Sequence, residues 1–311
     1  MTARRILELA PRGAFSLAWT TARFARNPDP VNVTEGGEFA RLVPAGDGHV
    51  LVRVRQEGPA SRARLVATLE GAGGAEAEAA AQRLFARVLG AHADLRPFQR
   101  ALRPDPLLGE SLRAHRGLRV AGSFDLFEAL VGAVLTQQVN LRFAASIRTE
   151  LARAFGARAT FAGREWLAFP TAERIARESE ASLRAFRMTG AKAGTMLRLA
   201  RACASGELSE SLLAPLSDEA AIEALTRWKG VGRWTAEIAL LRGLGRPDVF
   251  PAGDLAVVKH LARLWLASEA PAKEADMRLF SERWRPHRSL ALVYGLESLA
   301  ARAATKRAEA R

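Results

Sequence analysis

The sequence predicts a mainly α-helical chain that carries a small α+β domain at its N-terminus. Three observations lead there. Between about Gly13 and Val88 extended and helical patterns are mixed, and from Ser123 onward apolar residues recur with the 3.6-residue period of amphipathic helices. The stretch between them is punctuated by Pro97, Pro104, Pro106 and Gly109, the composition of a connection.

Taken in order, His49 to Val54 (HVLVRV) alternates apolar and polar side chains and is rich in β-branched residues, as a half-buried strand requires. Arg64 to Leu69 is expected to pair with it across the Gly58-Pro59 turn, and Ala75 to Leu89 reads as a helix. These elements define an N-terminal domain over residues 1–95, followed by a linker over 96–122. Ser123 is then expected to cap a helix whose apolar face is Phe124, Phe127, Leu130, Val131, Val134 and Leu135. Further helices are predicted over 142–155, 172–179, 192–204, 218–227, 233–243, 255–267 and 287–303. The helical region spans 123–300, and residues 301–311 are expected to form a flexible tail.

Composition narrows the class. The chain has 311 residues, 49% of them hydrophobic and 25% charged, enough to bury the cores of two or three globular domains. No apolar run approaches the ~18 residues of a membrane span. Pro11, Arg12 and Gly13 interrupt the N-terminus before a secretory core develops, so a cytoplasmic address is expected. The single cysteine, Cys203, excludes an internal disulfide and a four-cysteine zinc or iron-sulfur site. Forty-six Lys and Arg against 33 Asp and Glu give a formal charge of +13, the footprint of a protein that meets phosphates. An arginine-rich genome produces the same excess, so a motif has to decide.

That motif lies in Leu225 to His260. Two helices flank Gly230-Val231-Gly232, a tight hairpin in which glycine permits unusual backbone angles and the approach of another chain. Val231 is expected to point inward. The amides of Gly232, Arg233 and Trp234 then stand at a helix N-terminus, where unpaired N–H groups and the helix dipole favour a phosphate. Downstream, Asp248-Val249-Phe250-Pro251-Ala252-Gly253-Asp254 places a carboxylate at the start of the next helix. Position alone leaves Asp254 two readings, a helix N-cap or a reacting acid, and the two are compatible because a cap fixes the carboxylate's direction.

The series Gly230, Val231, Gly232, Arg233, Trp234, Thr235, Ala236, followed by Val249, Phe250 and Asp254, resembles the signature of the helix-hairpin-helix (HhH-GPD) DNA glycosylase superfamily, most closely its 3-methyladenine DNA glycosylase II (AlkA-like) branch. Ala129 to Val139 and Trp284 to Ser289 extend the likeness, which runs over about residues 123–297. The resemblance implies a fold with two helical bodies flanking an active-site cleft. It implies a monofunctional enzyme of base-excision repair that flips alkylated bases of the 3-methyladenine or 7-methylguanine type out of DNA and hydrolyses the N-glycosidic bond. Asp254 becomes the catalytic acid residue, with Lys229, Gly230, Gly232, Arg233, Trp234 and Thr235 at the phosphate-binding hairpin. Related lyases carry a Schiff-base lysine where this chain has Trp234, so no lyase activity is expected.

By the same resemblance Gln138, with Gln137 beside it, falls at the wedge that fills the gap left by a flipped base, against the alternative of a polar pair ending a buried helix. Backbone carbonyls of Thr226, Trp228 and Val231 fall where the family holds a monovalent Na+ or K+ ion; no cofactor for catalysis and no iron-sulfur cluster is expected. The pocket departs from the family. Ile238 stands where tyrosine is familiar and Leu296 where a stacking tryptophan is familiar, leaving Trp234 and Tyr294 as aromatic candidates. The expected partner is damaged double-stranded DNA, met by a monomer, with no membrane. Two alternatives stay open at this point: a noncatalytic DNA-damage-binding protein or scaffold, and a glycosylase with a different lesion range.

Overall fold

The computed structural model describes residues 4–309 apart from 72 and 268. Five strands form an antiparallel sheet in the order β1 (Arg4–Leu9), β5 (Arg64–Gly71), β4 (Gly48–Glu57), β3 (Glu38–Ala45), β2 (Val33–Glu35). The expected β4–β5 pair is present, with Val52 opposite Leu69 and Glu57 opposite Arg64. Alternation in β4 has a two-sided cause. Val50, Val52 and Val54 face a core shared with α1 (Leu17–Arg26) and α2 (Ala75–Arg87), whereas Leu51 packs on the other face with Leu42, Phe161 and Trp166.

The segment 96–122 contains two helices, α3 (Arg96–Leu102) and α4 (Gly109–Ala114). Pro97 sits in the first turn of α3, where the missing N–H costs nothing. Phe98, Leu102, Leu108 and Leu112 pack with Trp284 and Tyr294 in the core of the C-terminal helices.

The helical body follows: α5 (Leu126–Thr136), α6 (Leu141–Phe155), a hairpin of β6 (Arg158–Phe161) and β7 (Arg164–Leu167), then α7 (Ala172–Ala176), α8 (Glu180–Arg184), α9 (Gly190–Ser205), α10 (Glu210–Leu213), α11 (Asp218–Thr226) and α12 (Arg233–Ala239). A wide turn, Leu240–Leu244, prolongs α12; a second, Ala256–Leu261, leads into α13 (Ala262–Leu266), and α14 (Glu274–Ser281) and α15 (Arg288–Glu309) complete the chain. Two expectations are corrected. Asp125 rather than Ser123 caps α5, accepting the Glu128 amide at 2.7 Å, because the helix begins at Leu126 and Asp125 is the residue that precedes it. The helix predicted over 172–179 ends already at Ala176, and Ser179 caps a separate short helix that starts at Glu180. No helix among the described residues is long and apolar enough to cross a membrane.

A buried ionic network locks the sheet domain to the helical body. Arg41 of β3 donates to Glu128 of α5 at 2.5 Å and to Asn32 at 2.6 Å, and Arg148 of α6 joins Glu128 to Asp29. Burial opposes the Glu128 charge, but the two guanidiniums outweigh it and hold this carboxyl down at about 2. Burial, followed by the charge of Glu128, instead pushes neighbouring Asp125 up to about 6.

Candidate active site

The turn between α11 and α12 is fixed from outside as well as by its own angles. Gly230 has φ +94°, and a Cβ there would stand 1.9 Å from Oγ1 of Thr195 on α9. The turn's carbonyls are held by the body: Arg198 donates to the Lys229 oxygen at 3.0 Å, and Gln137 Nε2 to that of Gly230 at 3.1 Å. Val231 is buried among Leu130, Val134, Leu225 and Ala236, as its inward orientation requires.

Gly232 differs from Gly230. It is exposed, its backbone is ordinary, and nothing lies within 4 Å of where a Cβ would sit. It occupies the N-cap of α12 without a side-chain cap, so the amides of Arg233, Trp234 and Thr235 open the helix toward free space. The Arg233 guanidinium is engaged by Glu219 at 2.6 Å and Glu237 at 3.1 Å, which leaves its amide as the group for an anion. Lys229 is exposed beside it, while Thr235 is buried and its Oγ1 accepts from Gln137 at 2.9 Å. The Trp228 carbonyl accepts from the Val231 amide at 2.9 Å; among the described residues no backbone hydrogen bond closes on the carbonyls of Thr226 or Val231.

Asp254 is half-buried and held by both oxygens. Oδ1 accepts the Ala256 amide at 2.8 Å, and Oδ2 accepts the indole Nε1–H of Trp234 at 2.9 Å. The cap and the oriented acid are therefore one arrangement. The chain leading to Asp254 is anchored by α15: Arg288 binds Asp248 at 2.9 Å, and the Ser289 hydroxyl accepts from the amide of Val249 at 3.0 Å. The Asp-Val-Phe and Arg-Ser motifs, 40 residues apart in the chain, are thereby in direct contact.

Trp234 and half-buried Ile238 share a face of α12, and Leu296 of α15 is also half-buried. Tyr294 is the correction. It is fully buried, 5.2 Å from the Phe98 ring, and its hydroxyl donates to the Leu118 carbonyl; burial raises its pKa, and it belongs to the core rather than to a pocket. Gln138 is exposed with φ +55°, an unfavourable angle for a non-glycine residue, whereas Gln137 is tied to the hairpin. The two glutamines thus separate into a free tip and a brace.

Sequence reasoning missed the charged residues beside this face. Arg242, one turn beyond Ile238, donates to the Ala121 carbonyl at 2.7 Å, and Arg23 of α1 donates to the same oxygen at 3.1 Å. Arg26 of α1 grips Glu297, next to Leu296, at 2.9 and 2.5 Å. Helical spacing from Trp234 would have pointed to Arg242; no local pattern pointed to α1.

The sequence matches the family model described as HhH-GPD superfamily base excision DNA repair protein over residues 131–286, and that of the AlkA N-terminal domain over 7–125. It is 37% identical over 201 residues to a DNA-3-methyladenine glycosylase of Bacillus subtilis; the matched stretch covers 65% of this chain and 66% of that relative, just under two thirds of its length. The fold superposes on a 3-methyladenine DNA-glycosylase from Archaeoglobus fulgidus with a TM-score of 0.81 and 26% identity, covering 94% of this chain and 98% of that one. A 3-methyladenine DNA glycosylase from Schizosaccharomyces pombe, in complex with abasic DNA, superposes with a TM-score of 0.52 at 26% identity, over 64% of this chain and 95% of that one.

Proposed function

Because the chain belongs to the HhH-GPD superfamily of base excision DNA repair proteins, we propose that it is a monofunctional DNA glycosylase acting on alkylated bases of the 3-methyladenine or 7-methylguanine type in duplex DNA. The observation that carries this reading is the 2.9 Å bond from the Trp234 indole to Asp254, which joins the acid to the helix that opens at the glycine hairpin. One scaffold then presents phosphate-binding amides and, two residues into the same helix, the group that orients a carboxylate.

The chemistry follows from that arrangement. Breaking the bond from C1′ to the base heterolytically moves positive charge onto the sugar, and a fixed carboxylate beside the sugar stabilises it more than it stabilises the ground state, whose charge lies on the alkylated base. Asp254 is the catalytic residue, and water adds to C1′. Trp234 occupies the position of the lyase lysine, so the product is an intact abasic site. The Gly232, Arg233, Trp234 and Thr235 amides receive a strand phosphate with Lys229 alongside, and Gln138 fills the vacated stack. The free carbonyls of Thr226 and Val231, with that of Trp228, suit a Na+ or K+ ion that stiffens the hairpin, a structural role only. The enzyme acts as a monomer in the cytoplasm, at the nucleoid.

Base release from alkylated duplex DNA by wild type and Asp254→Asn tests this. Wild type is expected to form abasic sites and the variant to be slower by at least a hundredfold. Salt-sensitive duplex binding without release from any lesion, by wild type, would establish a damage-binding protein instead.

A further inference from the structure

The turn that ends α5 and the glycine hairpin are mounted on one helix. Along α9, Lys192, Thr195 and Arg198 stand at three-residue intervals. The Lys192 ammonium donates to the Leu135 carbonyl at 3.0 Å and to that of Gln137 at 2.7 Å, both at the end of α5. Arg198 donates to the Lys229 carbonyl of the hairpin at 3.0 Å, and the Thr195 hydroxyl lies 3.2 Å from the same oxygen. The third side of this triangle is direct: Gln137 Nε2 donates across to the Gly230 carbonyl and to Thr235 Oγ1.

A cation in the first turn of a helix opposes that helix's dipole, so α9 supplies no local reason for a lysine at 192. The side chain is half-buried, burial lowers its pKa, and among the described residues no carboxylate lies at ion-pair distance from it. What the ammonium meets is the negative end of α5. The Gln137 oxygen is the decisive contact. It belongs to the planar peptide group that joins Gln137 to Gln138, so a donor on it restrains ψ of 137 and φ of 138 together. Gln138 has φ +55°, an angle that a residue with a Cβ keeps only where its surroundings impose it. The turn is thus held at its base while the Gln138 side chain projects into solvent.

Resting on the glycosylase reading above, in which Gln138 fills the vacated stack, we propose that Lys192 is a positioning residue for base flipping: with Gln137 it fixes the Gln138 tip at a set distance from the phosphate-binding hairpin. A tip on a freely rotating peptide would have to be ordered as the base leaves, and that lost freedom opposes insertion. A tip already ordered on the scaffold that grips the phosphate enters without it. Lys192 touches neither the base nor the sugar and acts through the Gln137–Gln138 peptide.

The test uses two duplexes, one undamaged and one carrying a tetrahydrofuran abasic analogue with 2-aminopurine opposite it, bound by wild type, Lys192→Met and Lys192→Arg. The fluorescence rise of 2-aminopurine at saturating protein reads unstacking by the inserted tip, and only folded protein contributes to the complex. Lys192→Met is expected to lower that rise about threefold and the preference for the tetrahydrofuran duplex about fivefold, with affinity for undamaged DNA within about twofold of wild type because Thr195 and Arg198 still hold the hairpin. Lys192→Arg, which keeps the charge and its donors, should recover at least half of the rise. A Lys192→Met protein with the wild-type rise and preference, or one that loses both duplexes equally, overturns the proposal. Wild type that releases 7-methylguanine yet gives no rise overturns it and leaves the glycosylase reading standing; wild type that gives the rise, reduced in Lys192→Met, but releases no base supports the mount and overturns the catalytic reading.

Discussion

Replacing Gly230 by alanine perturbs the hairpin at the point where two independent constraints meet. The backbone there has φ +94°, which costs an L-residue about 1–2 kcal/mol. The new Cβ would also stand 1.9 Å from Thr195 Oγ1 and 2.8 Å from its Cγ2, contacts that only a shift of α9 or of the hairpin relieves, at about 1–3 kcal/mol. Gly230→Ala is therefore expected to lose about 2–5 kcal/mol in urea unfolding and to weaken duplex binding.

The two costs separate in a double-mutant cycle. Thr195→Ala removes Oγ1 and Cγ2, the two nearest of the three clashing atoms, and leaves the backbone cost and a 2.9 Å approach to Cβ of residue 195, so the cycle should give a favourable coupling of about 1–3 kcal/mol between positions 195 and 230. Gly232→Ala is the control, since its backbone is ordinary and its Cβ meets nothing. Its stability should stay within about 0.5 kcal/mol of wild type while DNA affinity falls, because the added methyl covers the amides that open α12. Additive effects at 195 and 230, or a Gly232→Ala variant that binds duplex DNA as wild type does, would refute this account of the turn.

Glu128 and Asp125 shift in opposite senses, and their contributions to stability run oppositely with pH. The Glu128 carboxyl, held at about 2, contributes stability that is complete above its unfolded value of 4.5 and is lost as pH falls toward 2, about 3 kcal/mol in all. Asp125, raised to about 6, contributes stability that is complete below its unfolded value of 3.8 and is lost as pH rises through 6. Asp125→Asn keeps a capping oxygen and discards the buried charge, so it should raise the melting temperature at pH 8 and leave it almost unchanged at pH 3; Glu128→Gln should lower it at pH 7. Arg288→Met leaves Asp248 with Arg285 alone and should cost about 3 kcal/mol, with kcat for base release falling more than KM rises because the lead into Asp254 loosens. The Cys203 thiol, pushed up to about 12 by burial and then by the charge of Asp125, should react with iodoacetamide at pH 8 far more slowly than a free thiol.

What was legible in the sequence is what short-range chemistry decides. The alternation of His49 to Val54 marked β4 because every second residue, Val50, Val52 and Val54, lines one core, and Leu51 alone of the intervening residues packs into a core on the other face. β1 carried no such mark: it is an edge strand whose Ile6 is exposed, so its pattern follows pairing with β5 rather than burial. β6 and β7 are four residues each, joined at Ala162-Gly163, both with positive φ, and their signal is that turn rather than any periodicity. Pro97 misled because proline marks a helix start as readily as a connection. At the site, the hairpin and Asp254 could be read because the phosphate amides and the acid follow one another along one segment. The contributions of Arg23, Arg26 and Glu297 could not, because α1 reaches that face only after the sheet domain has docked on α5 and α6.

That docking bears on the chemistry. Asp254 has one oxygen fixed by the amide of the helix it begins and the other by the Trp234 indole, so the carboxylate reaches its orientation before any DNA arrives, and no reorganisation is left for the reaction itself. Arg23 has no such local support. Its position depends on α1, and α1 is placed by the Arg41–Glu128–Arg148 network and the Arg26–Glu297 pair. Loosening the network should thus move Arg23 while Asp254 stays in place. Glu128→Gln is accordingly expected to melt earlier and yet, at a temperature where the protein is still folded, to release 7-methylguanine from duplex DNA at a rate close to that of wild type. A folded Glu128→Gln protein that releases 7-methylguanine many times more slowly than wild type would show that the sheet domain also positions the acid.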